Sequence, residues 1–117
     1  MTGGGALLYN ICMTQQTKQQ LDIIVHEIVT KYQPEKIILF GSAARGEATE
    51  DSDFDFFIVK HDVPHRGIDR HYDLMKRIRY RHASDFLICT PAEVEKRLAL
   101  GDPFIRDIVT QGRVLYS

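Results

Sequence analysis

The sequence predicts an α/β fold of the α+β type, in which a small mixed β-sheet packs against helices. Apolar residues recur at helical spacing in several segments, which predicts helices with one buried face. Between these segments lie short apolar runs, at about 37–40, 52–59 and 83–89, which predict buried strands. At 117 residues, the chain has room for one domain with a core of its own.

The first helix is predicted from about Thr17 to Tyr32, and Pro34 ends it. Its apolar stripe consists of Leu21, Ile24, Val25, Ile28 and Tyr32. Residues 1–16 contain three consecutive glycines and no clear period, so we expect a flexible N-terminal leader there. The folded domain is then predicted to comprise residues 17–117.

The strand at 37–40 runs directly into a glycine corner. Gly41 lets the backbone turn and approach a ligand closely. Ser42 offers a hydroxyl and opens a short helix, whose unpaired N–H groups favour an anion. The sequence therefore predicts a phosphate-binding corner after the first strand.

Two carboxylates follow in the second strand. Side chains alternate between the faces of a strand, so Asp53 and Asp55 point the same way, while Phe54, Phe56 and Ile58 point into the other face. Paired carboxylates beside apolar side chains are costly unless a cation neutralises them. Mg²⁺ prefers oxygen ligands and completes its shell with water and substrate phosphates, which makes it the expected cation.

This combination resembles the signature of the polymerase-β-type nucleotidyltransferase superfamily. Its elements are Gly41-Ser42, ten further residues, and then Asp53-x-Asp55, preceded by a helix and a buried strand. The pattern Gly-Ser-x-x-Arg-Gly, seen at 41–46, is similar to the smallest branch, the minimal nucleotidyltransferases (MNT). The resemblance covers about residues 18–117 and implies a polymerase-β-like nucleotidyltransferase fold, with ATP as the nucleotide.

A third carboxylate is expected from the strand at 83–89. Asp85 shares one face of that strand with Leu87, and an acidic residue there is either an exposed strand end or a functional group. The resemblance implies the second, with Asp85 beside Asp53 and Asp55. Three such carboxylates facing a phosphate site suit nucleotidyl transfer assisted by two Mg²⁺ ions, with Asp85 also able to accept the proton of an incoming hydroxyl.

Two further residues are candidates for contact with the nucleotide. Arg45 projects from the short helix, where its guanidinium either holds phosphate or pairs with the acidic loop at 47–52. Ser52 closes that loop immediately before the first carboxylate. The predicted nucleotide-binding set is Gly41, Ser42, Arg45 and Ser52.

A basic segment, residues 66–81, coincides with a helix predicted from about Gly67 to Tyr80. We expect its core positions to be Ile68, Tyr72, Met75 and Ile78. The basic residues form either a contact surface for an acidic partner or an ordinary solvated face, and the second is favoured because acidic residues interrupt the charge. The histidines in and around this segment match no tight zinc pattern.

The last third of the chain predicts two short helices and an edge strand. Thr90-Pro91-Ala92-Glu93 reads as a capping box that starts a helix through Leu98. A second helix begins at Asp102-Pro103 and ends at Gly112, with Phe104, Ile105, Ile108 and Val109 facing inward. Residues 114–116 are predicted to add the strand.

Composition narrows the possible partners. The net charge of −1 and the pI near 6.5 give no overall attraction to nucleic acid, so we expect no direct nucleic-acid binding. No apolar run approaches the roughly 20 residues of a membrane helix, which predicts no membrane contact and a cytoplasmic location. Self-association into a homodimer, or assembly into a hetero-oligomer, stays open.

The resemblance also implies a biological role. Minimal nucleotidyltransferases are typically paired with a helical HEPN protein, a toxin ribonuclease, and act as its antitoxin in a type VII toxin–antitoxin pair. In that family the antitoxin can transfer AMP from ATP to a tyrosine hydroxyl of the toxin. Two alternatives stay open: an antitoxin that neutralises by binding alone, or nucleotidyl transfer to a small molecule or nucleic acid.

Overall fold

The computed structural model describes residues 13–47, 53–79 and 82–117. These residues form one four-stranded sheet, whose strands are β1 (Lys36–Phe40), β2 (Phe54–Val59), β3 (Ser84–Cys89) and β4 (Arg113–Tyr116). The order across the sheet is β3-β2-β1-β4. Strand β2 runs parallel to β3, and β1 runs antiparallel to both β2 and β4. The predicted small mixed sheet is confirmed.

Five helices are present among the described residues: α1 (Gln15–Glu27), α2 (Gly41–Ala44), α3 (Gly67–Met75), α4 (Pro91–Ala99) and α5 (Pro103–Gln111). Helix α1 begins two residues earlier than predicted, because the hydroxyl of Thr14 caps it by accepting a bond of 3.1 Å from the backbone N–H of Thr17. A π-helical turn, Ile28–Tyr32, extends α1, and Gln33 ends it with a left-handed φ of 57°. Residues 1–12 of the predicted leader lie outside the described residues.

The larger part of the core lies between one face of the sheet and helices α1 and α3. All five residues of the predicted α1 stripe are buried there. Phe54, Phe56 and Ile58 of β2 point into the same core, as their alternation predicted. The opposite face carries a smaller cluster, in which Phe57 and Val59 pack near residues of α5. Asp55 alternates in step with Phe57 and Val59, so its carboxylate lies on the sheet face that carries the smaller cluster.

The predicted core face of α3 is wrong in part. Ile68 and Tyr72 are 71% and 69% exposed, whereas Arg70 and Leu74 are buried. The buried stripe is therefore rotated by about half a turn, because the guanidinium of Arg70 finds enough partners inside the protein to be buried. Ile78 is buried and Met75 half-buried as expected, although the helix ends at Met75 rather than near Tyr80.

Helix α5 is more exposed than predicted. Ile105 and Ile108 of α5 are buried, but Phe104 is 52% and Val109 42% exposed. Helix α4 has the predicted capping box and no buried residue. These helices cover the smaller cluster, so only a narrow stripe of each reaches apolar neighbours. Across the described residues, no helix is long and apolar enough to cross a membrane.

Candidate active site at one end of the sheet

The glycine corner lies at the end of β1, where the chain enters α2. Gly41 has a φ of 75°, a left-handed conformation that favours glycine. A Cβ atom built at Gly41 would collide with the Oδ2 atom of Asp55. The carboxylate of Asp55 thus lies directly against the Gly41 backbone, and the side-by-side register of Phe40 and Asp55 brings the two strands together at this point.

The second and third predicted carboxylates lie beside Asp55. Asp85 of β3 is in register with Asp55 of β2, on neighbouring parallel strands that are typically about 4.8 Å apart. Asp53 immediately precedes β2, two residues before Asp55, and therefore points to the same face. Because β2 and β3 begin at the end of the sheet where β1 finishes, all three carboxylates lie at the same end of the sheet as the glycine corner, and Asp55 is the one that lies against it.

The electrostatics of this cluster favour a cation. Burial raises the pKa of Asp55 above its ordinary value, and the negative charges of Asp85 and Asp53 raise this pKa further. The positive charge of Arg45 acts in the opposite direction on the pKa of Asp55. The net upward direction means that ionised Asp55 has too little compensating positive charge around it.

Magnesium fits this donor set better than a metal that needs a complete protein cage. Within residues 13–47, 53–79 and 82–117, no three His, Cys, Asp or Glu side chains converge into a group that could hold a metal ion. Mg²⁺ usually takes one or two carboxylates and fills its remaining positions with water and phosphate oxygens. Asp55 and Asp85, with Asp53 at the strand entrance, would be the ligands of such an ion, and Mg²⁺ binding here stays a prediction.

The other predicted nucleotide-binding residues have different surroundings. Arg45 Nε donates to Glu47 Oε1 at 2.9 Å, and both side chains are more than half exposed, so the guanidinium braces the loop here. The carbonyl of Ser42 accepts backbone bonds from Arg45 at 3.1 Å and from Glu47 at 3.0 Å, which closes the corner. Ser52 lies outside the described residues.

A cleft of about 550 Å³ opens beside Gly41, on the side away from β3. The corner contributes Phe40, Gly41, Ala44 and Arg45, and the C-terminal region contributes Phe104, Asp107, Ile108, Gln111, Gly112 and Arg113. Sequence reasoning missed the C-terminal contribution. An antiparallel pairing of the last strand with β1 would have indicated it, since that pairing brings the start of β4 next to the end of β1.

The basic segment is mostly a solvated surface, as predicted. Arg66 pairs with Asp69, and Arg77 pairs with Asp73, each at 3.0 Å, and both arginine side chains are half or more exposed. Arg70 is the exception, because it is buried and forms an ion pair with Glu93 at 2.6 Å. Its role is structural.

Comparison with known families agrees with this geometry. The family model described as "Nucleotidyltransferase domain" matches residues 21–116, which include the glycine corner and all three carboxylates. This chain belongs to that nucleotidyltransferase family. The resemblance to the polymerase-β-type superfamily is thereby supported. The family places the chain among enzymes that transfer nucleotidyl groups.

Two relatives of this nucleotidyltransferase come from Methanocaldococcus jannaschii, and both are named "putative protein adenylyltransferase". One is 38% identical over 69% of this chain and 57% of its own length, so the match spans little more than half of that relative. The other is 35% identical over 79% of this chain and 90% of its own length.

The fold has a counterpart among solved structures. A crystal structure of a "putative nucleotidyltransferase" from Sulfolobus solfataricus matches with a TM-score of 0.52 and 24% identity. The match covers 72% of this nucleotidyltransferase and 81% of that chain. It supports the fold of the sheet and helices described above.

Proposed function

We propose that this nucleotidyltransferase is a Mg²⁺-dependent enzyme that transfers AMP from ATP to a hydroxyl of a partner protein. The observation that carries the proposal is the contact between Asp55 and the Gly41 backbone, with Asp85 in register beside it. The predicted phosphate-binding corner thus adjoins the predicted metal-binding carboxylates, which supports a site for a nucleotide and its cations. The names of the two archaeal relatives support a protein as the acceptor.

In the proposed reaction, the acceptor hydroxyl oxygen attacks the α-phosphorus and forms a new P–O bond. The bond from that phosphorus to the bridging oxygen breaks, and pyrophosphate leaves with the electron pair. Asp85 is exposed and accepts the proton of the hydroxyl. Gly41 and Ser42 hold the phosphates that depart.

Asp53 and Asp55 would hold one Mg²⁺, and together with Asp85 they would hold a second. When bound, the ions would supply positive charge to the phosphates and lower the pKa of the acceptor hydroxyl. The raised pKa of Asp55 supports this assignment, because a carboxylate surrounded by like charges gains most from a cation.

We further propose that the acceptor is a tyrosine of a HEPN toxin, and that the enzyme is the antitoxin of this pair. The sequence resemblance to the minimal nucleotidyltransferases supports this assignment. A nucleic-acid acceptor has less support, because Arg66 and Arg77 in the basic segment are already paired with acidic side chains. The cytoplasm is the corresponding location.

The test is to incubate the enzyme with Mg²⁺, ATP labelled at the α-phosphate, and the product of the neighbouring gene. We expect label on the partner with the wild type and none with the double variant Asp53→Asn, Asp55→Asn. Asp62→Asn is the matched control, because Asp62 is exposed and follows the opposite end of β2. Undiminished labelling by the double variant would contradict the catalytic assignment.

The same experiment separates catalysis from neutralisation by binding. If the partner forms a stable complex but takes up no label from any nucleotide, the chain acts as a binding antitoxin. In cells, toxicity should then stay suppressed by the double variant. Catalytic neutralisation predicts instead that toxicity returns with the double variant and not with Asp62→Asn.

A further inference from the structure

Arg113 is the first residue of β4 and lies at the same end of the sheet as the candidate active site. It is in register with Leu39 of β1, two residues before Gly41. Its Nε donates to the carbonyl of Ala44 at 3.2 Å, which ties the guanidinium to the last residue of α2. A guanidinium carries five N–H donors, and this bond uses one of them. The remaining donors are therefore held close to the glycine corner.

The order of the strands places negative side chains at one edge of the candidate site and a positive side chain at the other. Reading across the sheet, Asp85 of β3 and Asp55 of β2 come first, the Gly41 corner at the end of β1 follows, and Arg113 of β4 is last. The negative end of this series attracts cations, and the positive end attracts phosphates that the carboxylates repel. Arg113 shares the sheet face of Leu39, whereas Asp55 shares the opposite face with Phe40. A triphosphate whose α-phosphorus lies at the carboxylates would therefore reach Arg113 around the end of β1, past the Gly41 corner.

The cleft beside Gly41 has the size and charge for such a group. Its volume of about 550 Å³ lies within the usual range for small-molecule sites. Arg45 and Arg113 both line it, together with one carboxylate, Asp107. Arg45 is already paired with Glu47 at 2.9 Å, whereas the bond that Arg113 donates goes to a neutral carbonyl. The positive charge of Arg113 therefore faces the cleft, and guanidinium is well matched to phosphate oxygens.

We propose that Arg113 is a phosphate-binding residue, which works with Arg45 to hold the terminal phosphates of the nucleotide and then the leaving pyrophosphate. This inference rests on the proposed function and adds a residue that lies more than 50 positions after the glycine-aspartate motif in the chain. It identifies the C-terminal strand as part of the active site rather than only an edge of the sheet.

The experiment compares binding of Mg²⁺–ATP and of AMP by isothermal titration calorimetry. The variant Arg113→Met keeps the aliphatic stem and removes the charge. We expect it to weaken ATP binding roughly tenfold to hundredfold, the size of a lost charged hydrogen bond, while AMP binding changes little. The control Arg106→Met removes an exposed arginine of α5 that does not line the cleft, and should change neither.

A purely structural Arg113 gives a different result. Losing the bond to Ala44 would then lower the melting temperature and weaken ATP and AMP binding by the same factor, which overturns the inference. Arg113→Lys, which keeps the charge, should retain part of the preference for ATP. Equal affinity of the wild type for ATP and AMP, or binding of neither, would also overturn it.

The outcomes distinguish this inference from the proposed function. In one outcome, the wild type binds ATP more tightly than AMP, Arg113→Met removes that preference, and no partner is labelled. The phosphate-binding role of Arg113 is then supported, and AMP transfer to the partner is contradicted. If the partner is labelled but Arg113→Met keeps the full preference for ATP over AMP, then AMP transfer is supported and the phosphate-binding role of Arg113 is overturned.

Discussion

Gly41 links backbone conformation and chemistry at a single residue. Its φ of 75° and its contact with the Asp55 carboxylate both exclude a side chain. Gly41→Ala should therefore destabilise the fold through backbone strain of about 1–2 kcal/mol, and displace Asp55 in addition. We expect loss of nucleotidyl transfer together with a lower urea midpoint, measured by fluorescence or circular dichroism.

Gly101→Ala is the matched control for this prediction. Gly101 has nearly the same φ, 78°, but a Cβ atom there meets nothing within 4 Å. Gly101→Ala therefore measures the cost of the backbone strain alone, and this variant should retain nucleotidyl transfer. If the two variants were equally stable and equally active, the close approach of Asp55 to Gly41 would have no functional importance.

Asp55 is expected to lower stability in the absence of a cation. Its pKa is raised in the folded protein, so the folded state binds this proton more tightly than the unfolded state. The corresponding stability is present below the ordinary pKa of 3.8 and is lost as the pH rises through the higher folded value. At neutral pH, Asp55→Asn should therefore raise the melting temperature while abolishing activity.

Melting temperatures measured over a pH series test whether Asp55→Asn stabilises the protein. Thermal melts in metal-free buffer should show a gain for Asp55→Asn at neutral pH that shrinks as the pH falls through the raised folded pKa and has disappeared below the ordinary value of 3.8. Asp62→Asn is the control variant in this series, since Asp62 is exposed and follows the opposite end of β2. A lower melting temperature for Asp55→Asn at neutral pH would contradict the conclusion that burial, together with the charges of Asp85 and Asp53, makes the ionised Asp55 carboxylate unfavourable in the folded protein.

Helices α3 and α4 are joined by an ion pair between buried Arg70 and half-exposed Glu93. Arg70 donates to both carboxylate oxygens of Glu93, at 2.6 and 3.1 Å, and also to the carbonyls of Pro64 and Ile88. Glu93 in turn accepts from the backbone N–H of Thr90 in the capping box. One carboxylate thus fixes the start of α4 and neutralises the buried arginine.

Arg70→Met should cost about 2–4 kcal/mol of unfolding free energy, since it removes several charged hydrogen bonds and leaves Glu93 without its cation. The control is Arg66→Met on the same helix, where the exposed pair with Asp69 is worth less than about 1 kcal/mol. Urea denaturation at neutral pH measures both. Similar losses for the two variants would contradict the special role of Arg70.

The same pair predicts acid sensitivity. Hydrogen bonding from Arg70 lowers the pKa of Glu93 from its usual value of 4.5 to about 2. A lowered pKa contributes stability that is present above 4.5 and is lost as the pH falls through about 2. In wild-type protein this contribution should fade over that window, and Glu93→Gln should flatten the pH dependence of the urea midpoint there.

For the helices and strands, the sequence predicted whether a segment is helix or strand more accurately than it predicted which face of that element is buried. The α1 stripe and the alternation of β2 were predicted correctly, because each lies against a large core that demands a regular pattern. The face of α3 was predicted wrongly, because nothing in the local sequence shows that Arg70 will find Glu93, 23 residues later. An ion pair between distant residues leaves no periodic signal.

The whole molecule brings the ends of all four strands together at the candidate site. Local spacing was enough to place Gly41, Asp53 and Asp55 there, because they lie on two consecutive strands. Asp85 needed the parallel register of β2 and β3, and the family resemblance supplied that expectation. Arg113 needed the position of β4 at the edge beside β1, which no local pattern specifies. Predictability fell as the required contact became more distant in the chain.

This assembly should make the stability of the whole domain depend on its ligand. A nucleotide that binds only the folded state stabilises it by about 2.7 kcal/mol at a concentration one hundred times its Kd. For a domain of this size, that gain corresponds to a melting temperature higher by roughly 10 °C. We expect this shift with Mg²⁺ and ATP together, and a much smaller one with ATP in the presence of a chelator.

Asp53→Asn separates ligand binding from folding in this experiment. Asp53 is exposed and lies just before β2, so its replacement should leave the melting temperature of the free protein nearly unchanged. The shift caused by Mg²⁺ and ATP should nevertheless be much reduced, because a ligand of the cation has been removed. A shift as large as that of the wild type would mean that the nucleotide binds without the carboxylate cluster, and the site would have to lie elsewhere.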